Sequence, residues 1–286
     1  MLEKQFSCAD LSLAGVYYPG QASDEGEHLP VIALHGWLDN AASFHRLAPL
    51  LAPHPVLALD LAGHGQSDHR PASAGYSIWA DISDVLSVAN QMGWERFALV
   101  AHSRGAAIAT LITAVSPQRV AHLAWLDGGW PMLAGDNDFV SQLRESVADQ
   151  LAEEGEKRAF PSFDHAVIAR RRGLFKLSES AARVLTERGT RQTNRGFEWS
   201  SDRQLMAASP VRLMRSQMEQ AMAAIECDIQ LFYADCERTD MNRWRSKLRE
   251  LKGVESFAMA GEHHLHMESA ADEIAQRLIA SYQSLD

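Results

Sequence analysis

The stretch Val100-Ala101-His102-Ser103-Arg104-Gly105-Ala106 constrains this chain more than any other. An apolar run from Phe97 to Val100 stops abruptly just before a serine, and a second, Ala-rich run from Ala106 to Ile112 begins at once. The first run is short and strand-like, the second helix-like. A backbone that passes from strand to helix within a few residues leaves its pivot side chain projecting from the strand's C-terminal edge. Small residues must flank the pivot, because strand and helix nearly collide there. That is the geometry of the G-x-S-x-G elbow, written here as Ala101-x-Ser103-x-Gly105, with one extra methyl at the first position. A serine at such a junction is more often a simple helix cap. Ser103 therefore acquires meaning only from its company elsewhere in the chain.

That company lies at the ends of other apolar runs. Residues 3–18 alternate as two short strands with a turn near Ala9-Asp10, and Pro19 to Glu27 is a loop rich in Gly, Ser and acids. Pro30 to Leu34 reads as a strand buried on both faces and ends in His35-Gly36-Trp37-Leu38-Asp39-Asn40. A helix-like stretch, Ser43 to Leu51, follows. Pro55 to Leu59 is the next strand and ends in Asp60-Leu61-Ala62-Gly63-His64-Gly65-Gln66-Ser67-Asp68. Tyr76 to Met92 carries a helical period, and Val120 to Leu126 is a strand that ends at Asp127-Gly128-Gly129. This alternation predicts a mostly parallel sheet with helices on both faces.

The rhythm then breaks. From Trp130 to Ala224 there are helix-compatible charged segments, punctuated by Pro161 and Pro210, and no convincing strand. Alternation resumes with strand Ile229 to Tyr233, helix Met241 to Leu251, strand Val254 to Met259 and a last helix from Glu268 to Tyr282. The expected division is a core of residues 1–129 and 225–286 with a helical cap, or lid, of residues 130–224 over the strand ends. The insertion holds about half of the Lys and Arg, so it is close to neutral beside an acidic core. The plain reading is a solvated helical surface; the sharper one is a lid that holds an anionic substrate. Arg170-Arg171-Arg172 is its densest cluster, but three consecutive helical positions do not share one face, so one or two at most aim at a pocket.

Composition narrows the classes. A net charge of -10 with a pI near 5.6 argues against nucleic acid or an anionic membrane surface as the main partner. Cys8, Cys227 and Cys236 are odd in number and widely spaced, which gives no disulfide framework or zinc spacing and suits a reducing cytoplasm. Met1 to Phe6 lack the basic and apolar regions of a secretory leader, and no apolar run approaches a membrane span. The expectation is a cytoplasmic monomer or homodimer that acts on a small molecule.

Every distinctive motif sits at a strand's C-terminal end, where open α/β sheets gather ligand-binding groups. Together, His35-Gly36, the D-x-x-G-x-G-x-S run from Asp60 to Ser67, the elbow at Ser103 and Gly261-Glu262-His263-His264-Leu265-His266-Met267-Glu268 resemble the α/β-hydrolase superfamily. The likeness covers nearly the whole chain. Within the superfamily, Arg188-Gly189-Thr190-Arg191, Phe197 to Asp202 and Ser209 to Leu213 look like the serine hydrolase-like proteins.

The resemblance implies Ser103 as nucleophile and His263 as base, with the backbone N–H groups of Trp37 and Arg104 as oxyanion donors. It leaves the orienting acid open. Glu237 falls on the commoner position, where Ala234 replaces the expected glycine, and Asp127 falls on a minority position at the end of the preceding strand. Asp235 is a near miss. The Arg104 side chain either braces a helix or reaches toward an acidic group of the substrate. His35, Trp37, Trp130, Met132 and Leu133 are candidate pocket residues, while His64, His102, His264 and His266 read as structural and Asp60 as a turn brace. A zinc site at His263, His264 and His266 has no joining Cys or acid at a familiar spacing, so no metal and no cofactor are expected. The reading is a serine hydrolase that cleaves a carboxylic ester or related acyl compound through an acyl-enzyme. Its rivals are non-hydrolytic chemistry on the same residues (a lyase step, C–C hydrolysis or cofactor-free dioxygenation) and a silent binding or signalling module.

Overall fold

The computed structural model describes residues 1–21, 28–135, 138–152, 155–236 and 245–285. Strands β1 (Leu2–Cys8) and β2 (Leu11–Tyr18) form an antiparallel hairpin, and β2 pairs antiparallel with β4 (Val56–Leu59). The remaining pairings are parallel and use β3 (Val31–Leu34), β5 (Phe97–His102), β6 (Val120–Leu126), β10 (Asp228–Ala234) and β11 (Val254–Met259). The spatial order is β1-β2-β4-β3-β5-β6-β10-β11. After β4 the chain crosses to the other side of β3, so β3 and β5 flank the point where the strand order reverses. Their C-terminal ends open a crevice there.

The short central strands are buried on both faces because helices cover both. On one face Ile32, Leu34, Leu57, Leu59, Leu99 and Trp125 pack with Val85, Val88 and Ala89 of α2 (Ile78–Gln91) and with Ile108 and Ile112 of α3 (Arg104–Val115). On the other, Val31, Ala33, Val56, Val100 and Phe232 pack with Ile274, Leu278 and Tyr282 of the last helix, α8 (Ala271–Tyr282). Adjacent residues of one strand thus feed opposite cores, as the two-residue side-chain period requires. The expected helix at Ser43 to Leu51 is instead a 3-10 turn, Ala41–Phe44, capped by the Asn40 side chain, followed by one turn of α1 (Leu47–Leu50).

Between β6 and β10 lie α4 (Phe139–Leu151), α5 (Phe163–Arg171), α6 (Glu179–Gly189) and α7 (Arg215–Ala223). This stretch also holds a small antiparallel sheet of β7 (Ala159–Phe160), β9 (Gly196–Trp199) and β8 (Thr190–Thr193), in that order, where the sequence suggested only helices. These strands have two to four residues, too few for a period-2 pattern to emerge.

At the elbow, packing dictates composition. Ala101 is fully buried, so the extra methyl has a place in the core. A Cβ on Gly105 would run into the carbonyl oxygens of Leu34 and His35, and one on Gly128 would lie 2.5 Å from Ala106 Cβ and 2.7 Å from Ser103 N. Backbone atoms cannot yield as side-chain tips do, so Gly105→Ala is expected to lower stability by about 1–3 kcal/mol. Urea unfolding of the two chains measures this; an unchanged midpoint would contradict such close packing.

Candidate active site

Ser103 has φ 51° and ψ -115°, a region that side chains other than glycine rarely occupy. Its N–H donates to Leu126 O at 3.1 Å, which ties the pivot to the end of β6. Arg104 opens α3, and the first N–H groups of a helix have no acceptor within it. The Arg104 side chain reaches sideways, not toward the cavity: its Nη2 donates to Asp81 Oδ2 of α2 at 2.6 Å. Of the two alternatives, bracing a helix is therefore its place in the fold.

At the end of β6, Asp127 also has positive φ, 43°. Its N–H donates to Phe232 O at 2.7 Å, and its carboxylate is fully buried. His263 Nδ1–H donates to Asp127 Oδ2 at 2.7 Å. Arg245 holds both oxygens, Nε on Oδ1 at 2.7 Å and Nη2 on Oδ2 at 2.6 Å, and Ala234 N–H reaches Oδ1 at 3.3 Å. Burial pushes the carboxyl pKa up, but hydrogen bonds from His263 and Arg245 outweigh it and bring the pKa down to about 2. Of the two acids the sequence left open, Asp127 thus contacts His263, whereas Glu237 lies outside the described residues. Asp235 is exposed, with its N–H bonded to Met259 O.

Burial, reinforced by the His102 ring 4.6 Å away, lowers the His263 pKa to about 4 despite the Asp127 contact. The imidazole is therefore neutral near pH 7, and with Nδ1 carrying the proton, Nε2 is its basic atom. Phe175, from the segment between β6 and β10, stacks on the ring with centroids 3.9 Å apart. Ser103 and His263 line one cavity of about 310 Å³. Among the described residues no hydrogen bond joins Ser103 Oγ to His263 Nε2; such contacts often close only when substrate binds.

The cavity wall also includes Trp37, Leu38, Leu174, Phe175, Leu185 and Trp199, with Asp39, Arg170, His102 and His264 among its charged and polar members. Trp37 lies on it with 40% exposure, its Nε1–H donated to Leu205 O at 2.9 Å. His35 and Trp130 are not among the lining residues. His35 is fully buried, with Nδ1–H donated to Gly36 O at 2.7 Å and Nε2 accepting from Leu61 N–H at 3.0 Å, so its ring ties the ends of β3 and β4. Burial lowers its pKa to about 3, which keeps it neutral. Trp130 packs against the core, with the Arg215 guanidinium 5.9 Å above its ring.

A second buried network lies beside the first. Asp39, five residues past the end of β3, accepts from His264 Nε2–H at 3.1 Å and pairs with Arg170 of α5 through its other oxygen. His102 Nε2–H donates to the His263 carbonyl at 3.0 Å, and its Nδ1 faces Asp39 Oδ2 at 3.5 Å. Burial opposes the Asp39 charge, but His264 and Arg170 hold its carboxyl well below the ordinary range. His266 hydrogen-bonds Ser43 Oγ at 2.7 Å. Asp39, His102 and His264 place possible ligand atoms within 4.8 Å of one another, the one such group among the described residues. Arg170 already supplies the positive charge that a metal would bring there. Of the arginine triplet, Arg170 alone lines this cavity; Arg171 and Arg172 line a separate groove.

Asp60 accepts from Ala41 N–H at 2.6 Å, Gln66 N–H at 2.9 Å and Arg188 Nε at 2.9 Å, while Arg188 grips Glu3 with its remaining nitrogens at 2.8 and 3.0 Å. It braces the turn, as the sequence suggested, and also anchors α6. Arg245, Asp39, Arg170 and Phe175 carry no local signature in the sequence, because their partners lie on distant segments.

The sequence profile of the α/β hydrolase fold family matches residues 30–198. The chain belongs to the α/β hydrolase fold family. Among its relatives, this hydrolase is 28% identical to a serine hydrolase-like protein of Danio rerio over 222 residues, 75% of this chain and 68% of that one. It is 36% identical over 122 residues, 43% of each chain, to the lipase LipV of Mycobacterium tuberculosis. A solved structure, a hypothetical protein of Pseudomonas aeruginosa PAO1, superposes with a TM-score of 0.89 at 37% identity and covers 99% of both chains. Among the described residues no helix is long and apolar enough to cross a membrane.

The Asp127–Arg245 pair gives a pH-dependent test. A carboxylate with a depressed pKa stabilises the fold above its unfolded value, about 3.9, and loses that contribution as pH falls through the folded value of about 2. Arg245→Met strands this charge, so at pH 7 it is expected to lose about 3 kcal/mol. The deficit narrows as the pH drops from about 4 toward about 2. Urea unfolding at pH 7 and pH 3 measures it; a deficit independent of pH would contradict this pairing.

Proposed function

We propose that this hydrolase cleaves a carboxylic ester or related acyl compound through an acyl-enzyme on Ser103, with His263 as base and Asp127 as the acid that orients it. The observation that carries the reading is the buried 2.7 Å hydrogen bond from His263 Nδ1 to Asp127, which leaves Nε2 basic in the cavity that Ser103 also lines. In the first half-reaction Ser103 Oγ bonds to the acyl carbon and its proton passes to His263 Nε2. That proton then leaves on the alcohol oxygen as the ester bond breaks. In the second, His263 takes a proton from water, whose oxygen attacks the acyl carbon, and Ser103 departs with the proton as the free carboxylic acid forms. The backbone N–H groups of Trp37 and Arg104 stabilise the oxyanion in both steps. None of these steps calls on a cofactor.

The residues between β6 and β10 act in this proposal as a cap: Phe175 covers the base, and Leu174, Leu185 and Trp199 give the acyl chain an apolar wall. The names of the relatives support the class, a serine hydrolase-like protein in one case and a lipase in the other. Three free cysteines fit a reducing compartment such as the cytoplasm.

Labelling with a fluorophosphonate probe tests the nucleophile. The wild type is expected to label at Ser103, Ser103→Ala to abolish labelling, and His263→Ala to cut it to a slow residual rate. A folded wild type that stays unlabelled would favour the non-hydrolytic or binding readings. The acid is tested in the same assay. Asp127→Asn is expected to slow labelling by several orders of magnitude, on the order of 10⁴-fold, whereas Glu237→Gln stays within a few-fold. The reverse ranking would move the acid to Glu237. The labelling rate is expected to hold steady from pH 7 down to pH 5 and to halve near pH 4, where His263 takes up a proton. A midpoint near 6.5, the value of a free imidazole, would contradict the buried base.

A further inference from the structure

Helix α4 is packed inside out. The side chains that it buries are Gln142 and Ser146, while Phe139, Val140, Leu143, Val147 and Leu151 are between 37% and 79% exposed. Polar contacts hold it in place: Gln142 Nε2 donates to Ser209 O at 2.5 Å, and Asp149 Oδ2 accepts from Ala208 N–H at 2.8 Å. Gln142, Ser146 and Asp149 recur at helical spacing and form the protein-facing side. Phe139, Leu143, Val147 and Leu151 recur every four residues and form a ridge on the solvent side. A surface helix ordinarily turns its apolar stripe inward. This reversal leaves a contiguous apolar strip, which is the mark of an interaction face.

We propose that this ridge is the interface of a two-fold homodimer in which α4 of one copy lies antiparallel on α4 of the other. Three observations select a second copy as the occupant. First, the ridge is self-complementary: centred on Glu145, an antiparallel partner sets Phe139 against Leu151 and Leu143 against Val147, so every ridge position meets an apolar one. That is what an isologous interface requires.

Second, charge favours this face. Residues 130–224 carry 14 basic and 13 acidic residues, whereas the rest of the chain carries 13 basic and 24 acidic. Pairing through the near-neutral segment leaves the two acidic bodies facing outward, and the same acidity disfavours an anionic lipid surface.

Third, the face is large enough to extend. A standard interface buries roughly 800 Å² per partner, more than a ridge about 20 Å long covers by itself. The strap that holds α4, residues 206–214, adds exposed Met206, Val211 and Met214 beside it.

Sedimentation velocity of the full chain over a micromolar dilution series, with far-UV circular dichroism of each variant, tests the proposal. The wild type is expected at about twice 31.6 kDa, dissociating on dilution. Leu143→Lys keeps the native spectrum and weakens dimerisation on the order of 30-fold or more. Adding Val147→Glu to the same chain sets the introduced ammonium of one copy opposite the introduced carboxylate of the other and is expected to restore dimerisation at low salt. A wild type that sediments as a monomer throughout, or a dimer indifferent to Leu143→Lys, overturns the proposal. So does a monomer whose ridge binds neutral phosphatidylcholine vesicles in a manner that Leu143→Lys abolishes, since that assigns the face to lipid.

Discussion

The Asp127 carboxylate, buried between the guanidinium of Arg245 and the imidazole of His263, is the contact on which the site's geometry depends. A charge in that position is tolerable only with its partners present, because an uncompensated buried charge costs several kcal/mol. The partners come from three places: the end of β10 through Ala234 N–H, the helical segment 245–249, and the loop after β11 that carries His263. One carboxylate thus fixes the His263 loop relative to the sheet. Ser103 is referred to the same strand ends, since its N–H is bonded to Leu126 and Asp127 N–H to Phe232. Backbone strain at Ser103 and Asp127 is sustained by this bonding and by the glycine contacts around the elbow.

Asp39 organises the other half of the site in the same way. It lies two residues after Trp37 and joins Arg170 of α5 to His264, which neighbours His263 in sequence, while His102 bridges toward the backbone of His263. Segments from both sides of the cavity therefore meet at one buried carboxylate. Asn40, Trp37 and Asp60 add bonds from the core loops to Leu185, Leu205 and Arg188. Polar, directional contacts thus help fix the β6–β10 segment, beside a buried apolar cluster in which Val167, Leu177, Ala181, Ala182 and Leu185 pack on Met267.

Much of this was legible in the sequence, for a local reason. Strands buried on both faces are short uninterrupted apolar runs, and the residue that ends each run is placed by the sheet itself. Val31–Leu34, Phe97–His102 and Val120–Leu126 could be read this way, and with them the places of Ser103 and Asp127. What escaped was fixed by distant partners. Arg245 belongs to a charged helical stretch that looks solvated until the fold brings Asp127 beneath it. Arg170 could not be told from Arg171 and Arg172, because three successive helical residues differ only in the direction they face. The strands of the small sheet fell below the length at which periodicity means anything. His35 looked like a pocket residue because it ends a strand, yet both ring nitrogens are consumed by backbone groups.

The central claim is that Asp127 acts through His263 and not independently of it. A double-substitution cycle measures this, with the second-order rate constant of fluorophosphonate labelling as the readout. If the two residues form a unit, Asp127→Asn combined with His263→Ala labels no more slowly than His263→Ala alone, because the base that Asp127 orients is already gone. If the two losses multiply, Asp127 exerts its effect elsewhere, and the account of this site is wrong.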